Sequence, residues 1–434
     1  MSNWGRKLTI LHQRIAEKWL YRWGYKRCLK QQQRYMAKLR AQQRPVRVAF
    51  VALNVAMWKY QGLVDLLKAD PRFKVVVVLS PGITYKPEQR LRDLQQMRQF
   101  FSMHEVDFVD WRIEDGAQPV DIRRELKPDV VFYMQPYHGS YHPRHCFLHF
   151  TDRLIAYSPY SYLQVQVPYN YDNVMQNVAW RCYYANDYHV ADARRLARNK
   201  GVNALAVGYT SADEYLSGQT ENKGGAERGA ATPAAVKTLI WAPHCTLAND
   251  GSAFSRSNFL MMADYMVDLA RRHSNDLHIV FKPHPGLLTE LYMHTEWGKE
   301  RADEYYGLWR SMENTSLADG TFIDLFRESD AMVHDSGSFV VDYLYFNHPV
   351  MYVSQNIERA KGYVNEPGRC AYDAHYIGRT TADVEHFVDQ VVLSGHDTME
   401  PVRKAFYNRF LKPPGGHTTA QNIYADMVNT LCLR

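Results

Sequence analysis

Two histidines in the second half of the chain stand in short loops that contain proline. His244 follows a proline, and His284 lies between two prolines. Proline fixes the backbone dihedral φ, so it holds a neighbouring side chain in position. An imidazole held in this way can transfer a proton or stabilise a developing charge. Lys282, two residues before His284, adds a cation that can neutralise a phosphate oxygen. The alternative is a proline-rigidified loop with an exposed histidine.

A third loop combines small residues with a predicted helix start. It follows a predicted strand and consists of Asp335, Ser336, Gly337 and Ser338. A short turn into a helix presents unpaired backbone N–H groups and the positive helix end to one point, which suits a diphosphate. Capping of the helix by Asp335 or Ser336 is the alternative explanation.

All three loops follow predicted buried strands. In the second half these strands are Lys237–Trp241, Leu277–Phe281, Ala331–His334 and Val350–Val353, and in the first half the clearest are Val46–Leu53, Phe73–Leu79, Asp129–Met134 and Leu154–Tyr157. Val-rich runs that alternate with helices predict parallel sheets covered on both faces. Ligands of such sheets bind at the carboxyl ends of the strands, where the three loops lie. The first half lacks the GxGxxG fingerprint, so a dinucleotide is not expected there.

The pattern predicts an α/β protein with two Rossmann-like domains facing a cleft, which is the GT-B architecture. We expect a basic amphipathic helical segment at 1–45, an N-terminal acceptor domain at 46–216, a linker at 217–236 and a C-terminal nucleotide-donor domain with the last helices at 237–434. The linker is placed where the sequence becomes SGQTENKGGAERGAATP, because small and polar residues are typical of flexible surface segments.

The N-terminal segment carries most of the positive charge. Residues 1–45 contain twelve Lys or Arg and one acid, Glu17, whereas the whole 434-residue chain has a net charge of only +6. Apolar residues recur there at helical spacing, namely Trp4, Leu8, Leu11, Ile15, Trp19 and Trp23. Trp beside cations indicates an anionic membrane surface as the partner. Packing on the protein itself or on a second subunit is the alternative, and nucleic acid is not expected because no known binding motif accompanies the charge.

Other features bound the location and the chemistry. The six cysteines are scattered without a CxxC pair, so neither a metal site nor a disulfide framework is expected. No apolar stretch approaches the roughly 18 residues that span a bilayer, and charges interrupt the N-terminus where a signal peptide is apolar. We therefore expect a cytoplasmic protein, peripheral on the inner face of the cell membrane.

Three segments resemble the main motifs of the CDP-glycerol glycerophosphotransferases of teichoic acid and capsule synthesis. They read VKTLIWAPHCTL, VFKPHP and SDAMVHDSGSFVVDYLYFNHPVMYV. The resemblance begins at Val207–Asp213 and extends to Pro413–Met427, so it covers the second half closely. It implies that His244 and His284 are essential for transfer, that Asp335 to Ser338 hold the donor's phosphates, and that Asp342 matches an acidic position on the next helix. The family usually has Arg where Lys282 stands.

The resemblance implies transfer of a polyol phosphate, glycerol phosphate first, from a CDP-linked donor to a hydroxyl of a cell-surface polysaccharide or teichoic-acid-like acceptor, with release of CMP and no cofactor. A GT-B glycosyltransferase that uses a nucleotide sugar for capsule or lipopolysaccharide synthesis is the main alternative. An epimerase of the same fold and a non-catalytic scaffold at the membrane remain further alternatives.

Overall fold

The computed structural model describes residues 15–42, 44–217, 236–247, 257–318 and 322–431. Contacts between backbone positions divide the chain into two compact units. Unit 1 comprises Met1–Leu163, Val167–Asp213 and Lys412–Arg434, and unit 2 comprises Gln164–Gln166 and Glu214–Leu411. The chain therefore passes from one unit to the other four times.

Unit 1 is built on a parallel sheet of seven strands. Its strands are β1 (Val46–Ala52), β2 (Phe73–Leu79), β3 (Phe108–Val109), β4 (Val130–Tyr133), β5 (Leu154–Tyr157), β6 (Arg181–Tyr184) and β7 (Ala204–Ala206), in the spatial order β3-β2-β1-β4-β5-β6-β7. The central strands are buried on both faces. Their continuous apolar sequences follow from this, because neither face of a covered parallel sheet meets water.

Helices cover this sheet. They are Tyr25–Arg40, Gln61–Ala69, Pro87–Met103, Val174–Val178, Asp187–Leu196 and Thr419–Leu431. Tyr25–Arg40 continues a π-helical turn at Leu20–Gly24. Leu20, Cys28 and Leu39 on this stretch are buried in unit 1, whereas Trp19 and Trp23 are 49% and 75% exposed. Among the described residues, no helix is both long enough and apolar enough to cross a membrane.

Unit 2 contains a second parallel sheet, with six strands. They are β8 (Lys237–Ala242), β9 (Leu277–Phe281), β10 (Thr315–Leu317), β11 (Ala331–His334), β12 (Val350–Val353) and β13 (Tyr376–Gly378), in the order β10-β9-β8-β11-β12-β13. Its helices are Phe259–Arg272, Leu287–Met293, Gly298–Ser311, Ile323–Glu328, Phe339–Asp342, Ile357–Lys361, Glu366–Asp373, Thr381–His386 and Glu400–Phe406, and Ala212–Leu216 precedes them at the boundary of the two units. Strands β9, β8 and β11 are neighbours, so the three loops that follow them begin side by side at the carboxyl edge of this sheet.

The C-terminal helix lies in a different unit from the one predicted. We predicted residues 237–434 as one domain, but the contacts place Lys412–Arg434 in unit 1. Ile423, Met427 and Leu431 are buried in the apolar core of that unit. Asp213 fixes the start of this helix, because its carboxylate accepts the backbone N–H groups of Thr419 and Ala420 at 2.7 Å each. Most of the predicted linker lies outside the described residues.

Candidate functional site

The three predicted loops leave neighbouring strands of the unit 2 sheet. His244 lies two residues beyond β8, Lys282 directly follows β9, and Asp335 directly follows β11. Because β8 lies between β9 and β11, the loops emerge side by side at the carboxyl edge. The backbone N–H of His284 donates to the carbonyl of Pro243 at 3.0 Å, which joins the first two loops directly.

Asp335 ties the third loop to the first. Its Oδ1 accepts the backbone N–H of His244 at 2.6 Å, and its Oδ2 accepts the backbone N–H of Asn258, where the helix Phe259–Arg272 begins. Asp335 is buried, and burial raises the pKa of its carboxyl to about 6 although these hydrogen bonds oppose the shift. The carboxylate therefore acts on the position of His244, a role that the sequence pattern did not suggest.

The two imidazoles lie against each other. The ring centroids of His244 and His284 are 4.7 Å apart, and the ring planes are inclined by 53°. Burial, and to a smaller extent the neighbouring His284, lower the pKa of His244 to about 4. His284 is more exposed, but the atoms around it remove enough water to lower its pKa as well. Both rings are therefore uncharged at neutral pH, and each has one N–H group and one nitrogen lone pair.

Lys282 brings a positive charge to the same edge. The residue is only 8% exposed, and its Nζ lies 6.0 Å from the ring centroid of Phe322. Its backbone N–H donates to the carbonyl of Trp241 at 2.8 Å, which fixes the start of the loop. A largely desolvated ammonium group interacts strongly with an anion, since little water screens the charge.

The turn after β11 differs from the predicted helix start. Ser336 is buried, Gly337 is half-buried and Ser338 is exposed. The helix that follows is the four-residue segment Phe339–Asp342, continued by a 3-10 turn, and Ser338 makes no capping hydrogen bond to it. So short a helix contributes little dipole, and any anion at the turn depends on its backbone and hydroxyl groups. Asp342, at the end of this helix, is 9% exposed.

Gln164 is a residue of this site that the sequence analysis missed. It begins the short segment Gln164–Gln166, which belongs to unit 2 although the chain on either side of the segment belongs to unit 1. Its side-chain N–H group donates to the carbonyl of Gly337, and Val165 pairs with Val364 as an isolated β-bridge. No motif marks this position, because the contact joins residues 173 positions apart.

Among the residues that the structure describes, two side-chain groups have a spacing that could hold a metal ion. The ligand atoms of His244, Cys245 and His284 lie within 4.8 Å of one another, as do those of His273, Glu385 and Asp389. In the first group, Nδ1 of His284 accepts the N–H of Gly286 at 3.0 Å. The proton of the neutral ring then stays on Nε2, which offers an N–H group and no lone pair. This favours an anion over a cation at His284.

In the second group, Glu385 already has cationic and hydroxyl partners. Its carboxylate accepts hydrogen bonds from Arg272 and from the hydroxyl of Tyr265. The neighbouring guanidinium neutralises the carboxylate and holds its pKa at about 2. We therefore assign no ligand role to this group.

The fold and this edge of unit 2 define a class of protein. Two parallel α/β sheets, the second with two imidazoles and a lysine at its carboxyl edge, are those of a GT-B transferase. The family model described as CDP-Glycerol:Poly(glycerophosphate) glycerophosphotransferase matches residues 174–428, and the chain belongs to this family. It is therefore an enzyme, a transferase of the CDP-glycerol glycerophosphotransferase type, as the motifs predicted. A search of curated protein sequences found no match.

Solved structures with the same fold are distant in sequence. The wall teichoic acid polymerase TagF is 12% identical, with a TM-score of 0.56 over 98% of each chain. UDP-GlcNAc 2-epimerase from Neisseria meningitidis, bound to UDP-GlcNAc, is 14% identical, with a TM-score of 0.54 over 89% of this chain and 100% of that chain. MnaA from S. aureus with UDP is 13% identical, with a TM-score of 0.53 over 90% and 98% of the two chains. These similarities confirm the predicted GT-B fold.

Proposed function

We propose that the enzyme transfers a polyol phosphate, first of all glycerol phosphate, from a CDP-linked donor to a hydroxyl of a cell-surface polysaccharide or teichoic-acid-like polymer. The observation that carries this proposal is the contact between His244 and His284, whose ring centroids are 4.7 Å apart on loops joined by the hydrogen bond from His284 N–H to the Pro243 carbonyl. Lys282 begins the second of these loops. Membership in the glycerophosphotransferase family supports the CDP-linked donor.

The reaction exchanges one phosphorus–oxygen bond for another. The acceptor oxygen attacks the β-phosphorus, the bond to the bridging oxygen breaks, and CMP leaves with that oxygen. Such transfers depend mainly on alignment and on neutralising negative charge. One imidazole takes the proton of the acceptor hydroxyl, while the other imidazole and Lys282 face the negative phosphate oxygens. The turn Ser336–Ser338 offers hydroxyl and backbone N–H groups to the donor. The donor is a substrate, and the proposal includes no cofactor and no metal.

The test follows CMP release. The purified protein is incubated with CDP-glycerol and, separately, with a panel of nucleotide sugars, in the presence of a polyol phosphate polymer. We expect CMP only from CDP-glycerol or another CDP-polyol. His244→Ala and His284→Ala should each lower kcat by about 100-fold or more. His386→Ala, at an exposed histidine of the same unit, is the matched control. Release of a nucleoside diphosphate from a nucleotide sugar instead would make the enzyme a glycosyltransferase.

The same proposal places the enzyme on the inner face of the cell membrane through residues 1–45. The described part of this segment supports it, because Trp19 and Trp23 are exposed on one helical stretch. Lys18, Arg22 and Lys26 are also exposed there. Indole rings at headgroup depth and cations beside anionic lipid each favour binding, the cations by about 1 kcal/mol apiece. Trp4, Leu8 and Leu11 lie outside the described residues.

A further inference from the structure

The two histidine loops share one local geometry. In each loop a proline precedes the histidine, and Nδ1 of the ring faces the backbone N–H of the residue two positions later. For His284 this N–H belongs to Gly286, at 3.0 Å. For His244 it belongs to Thr246, at the longer distance of 3.4 Å. The loops differ at this later residue, because only threonine has a hydroxyl group.

This difference determines which ring nitrogen carries the proton. A neutral imidazole has one N–H and one lone pair. At His284, the backbone N–H of Gly286 can only donate, so Nδ1 is the acceptor and Nε2 carries the proton. His284 therefore presents an N–H group beyond its own loop. Such a group can donate to a phosphate oxygen but cannot take a proton from a hydroxyl.

At His244 the nearest partner of Nδ1 is the Thr246 hydroxyl, with an Oγ1 to Nδ1 distance of 2.8 Å. A hydroxyl can accept a hydrogen bond as well as donate one. When Nδ1–H of His244 donates to Oγ1, the lone pair lies on Nε2. The competing N–H of Thr246 is near the outer limit of a hydrogen bond at 3.4 Å. His244 can therefore adopt the tautomer that a general base needs.

We propose that Thr246 is a positioning residue that makes His244 the general base, an inference that rests on the proposed function. His284 then serves as a hydrogen-bond donor to the phosphate. The proton of the acceptor hydroxyl passes to Nε2 of His244 as the new oxygen–phosphorus bond forms. The resulting imidazolium keeps its Nδ1–H on Oγ1 of Thr246. CMP leaves with the electron pair of the broken bond.

The backbone of Thr246 is held independently of its side chain. Its carbonyl accepts the N–H of Ser257 at 2.8 Å. The other groups close to the His244 ring are His284 and Cys245. We expect both to keep their positions when the hydroxyl alone is removed. Thr246→Val, which has nearly the same shape, therefore removes the hydrogen bond without removing the loop contact.

The test is steady-state kinetics of Thr246→Val with CDP-glycerol. We expect kcat to fall about 10-fold, part of the ~10²–10⁴-fold contribution of a general base, with the KM for the donor unchanged. Thr246→Ser, which restores the hydroxyl, should recover most of the loss. In a His244→Ala background, Thr246→Val should cause no further decrease, because the group that it positions is gone. The thermal midpoint of Thr246→Val should match the unmodified protein.

The outcomes separate this inference from the proposed function. The role of Thr246 is refuted, and the proposed function stands, if His244→Ala and His284→Ala are inactive but Thr246→Val has a normal kcat. The same conclusion follows if Thr246→Val lowers kcat by the same factor in the His244→Ala background as in the unmodified protein. If both alanine variants turn over CDP-glycerol normally, the two histidines are not catalytic and the role of Thr246 is refuted with them. The proposed function itself fails if the unmodified protein releases no CMP from CDP-glycerol or another CDP-polyol. An equal loss in Thr246→Val and Thr246→Ser also refutes the inference, since the serine keeps the hydroxyl.

Discussion

Asp335 and His244 are joined by a 2.6 Å hydrogen bond from the backbone N–H of the histidine to Oδ1 of the aspartate, across 91 positions of sequence. The other carboxylate oxygen accepts the N–H of Asn258. One buried carboxylate thus fixes the loop of a candidate catalytic histidine and the start of a helix. The position of His244 therefore depends on the Asp335 side chain, even if that side chain does not contact the substrate.

We therefore expect Asp335→Ala to lower both stability and activity. It leaves two backbone N–H groups without an acceptor, at a cost of about 1–3 kcal/mol for each donor that stays buried. Displacement of His244 should lower kcat by about 10-fold or more. Urea unfolding and CMP release measure the two effects.

Asp330→Ala is the matched control for this change. Asp330 also accepts a backbone N–H, that of Thr238 at 2.9 Å, but Thr238 lies at the start of β8 whereas His244 lies beyond its end. The Asp330→Ala variant should have a lower free energy of unfolding and an unchanged kcat. Equal kcat values for the two variants would contradict the positioning role of Asp335.

Lys282→Met should weaken binding of the donor. Because Lys282 is only 8% exposed, little water competes for its charge, and its loss should raise the KM for CDP-glycerol about 10-fold, equivalent to 1.4 kcal/mol. Lys237→Met, at the start of the neighbouring strand β8, removes a lysine whose Nζ pairs with Asp330 and should leave KM unchanged. A donor KM within twofold of normal in Lys282→Met would exclude phosphate binding by this residue.

Acid should destabilise the fold through buried histidines. Burial lowers the pKa of His145 to about 3 and the pKa values of His189 and His375 to about 4, well below the value near 6.5 of an unfolded chain. A folded-state pKa below the unfolded value means that stability is present above pH 6.5 and is lost as the pH falls. Each such histidine contributes a slope of up to about 1.4 kcal/mol per pH unit between the two values. Burial raises the pKa of Asp335 to about 6 and also raises the pKa values of Asp93 and Asp213, which acts in the opposite direction. The larger shifts are those of the three histidines.

The measurement is the free energy of unfolding from pH 7 to pH 5. His145→Gln should show a smaller loss over this range than the unmodified protein, because one titrating group has been removed. The exposed His386→Gln serves for comparison and should leave the slope unaltered. An identical slope in all three proteins would show that His145 is not held neutral by the fold.

Replacing Trp19 and Trp23 by alanine should weaken binding to vesicles that contain anionic lipid. The two indoles are 49% and 75% exposed, and their removal takes away the apolar part of the proposed membrane contact. We expect at least a 10-fold loss of partitioning in co-sedimentation, with weaker binding at high salt in both proteins. Met293→Ala removes an 81% exposed apolar side chain elsewhere and should have no effect. Unchanged sedimentation of the double variant would instead favour packing of this stretch on a protein partner.

Continuous apolar runs were sufficient to predict most of the sheets. The predicted bounds of β2, β5, β9, β11 and β12 agree with the structure, because buried parallel strands have no polar face to interrupt the pattern. The edge strands Thr315–Leu317 and Tyr376–Gly378 were missed. Three residues at the edge of a sheet are too few to show a period.

The candidate site was predicted only in part. Proline and histidine in short loops indicated His244 and His284, and the structure brings these two rings together. The roles of Asp335 and Gln164 depend on contacts 91 and 173 positions apart, which no local pattern encodes. The hydrogen bond between Thr246 and His244 is local, but only the observed loop conformation shows it.

The return of Lys412–Arg434 to unit 1 has a practical consequence for dissecting the enzyme. Cleavage within residues 218–235 does not release two self-sufficient halves. A fragment that stops at Asp213 lacks the helix Thr419–Leu431. The carboxylate of Asp213 then has neither of its two N–H partners. The apolar surface of the helix Gln61–Ala69 that packs on the missing helix is exposed to solvent. Such a fragment should aggregate unless a peptide spanning 412–434 is supplied in trans, and the two halves should be most stable when co-expressed.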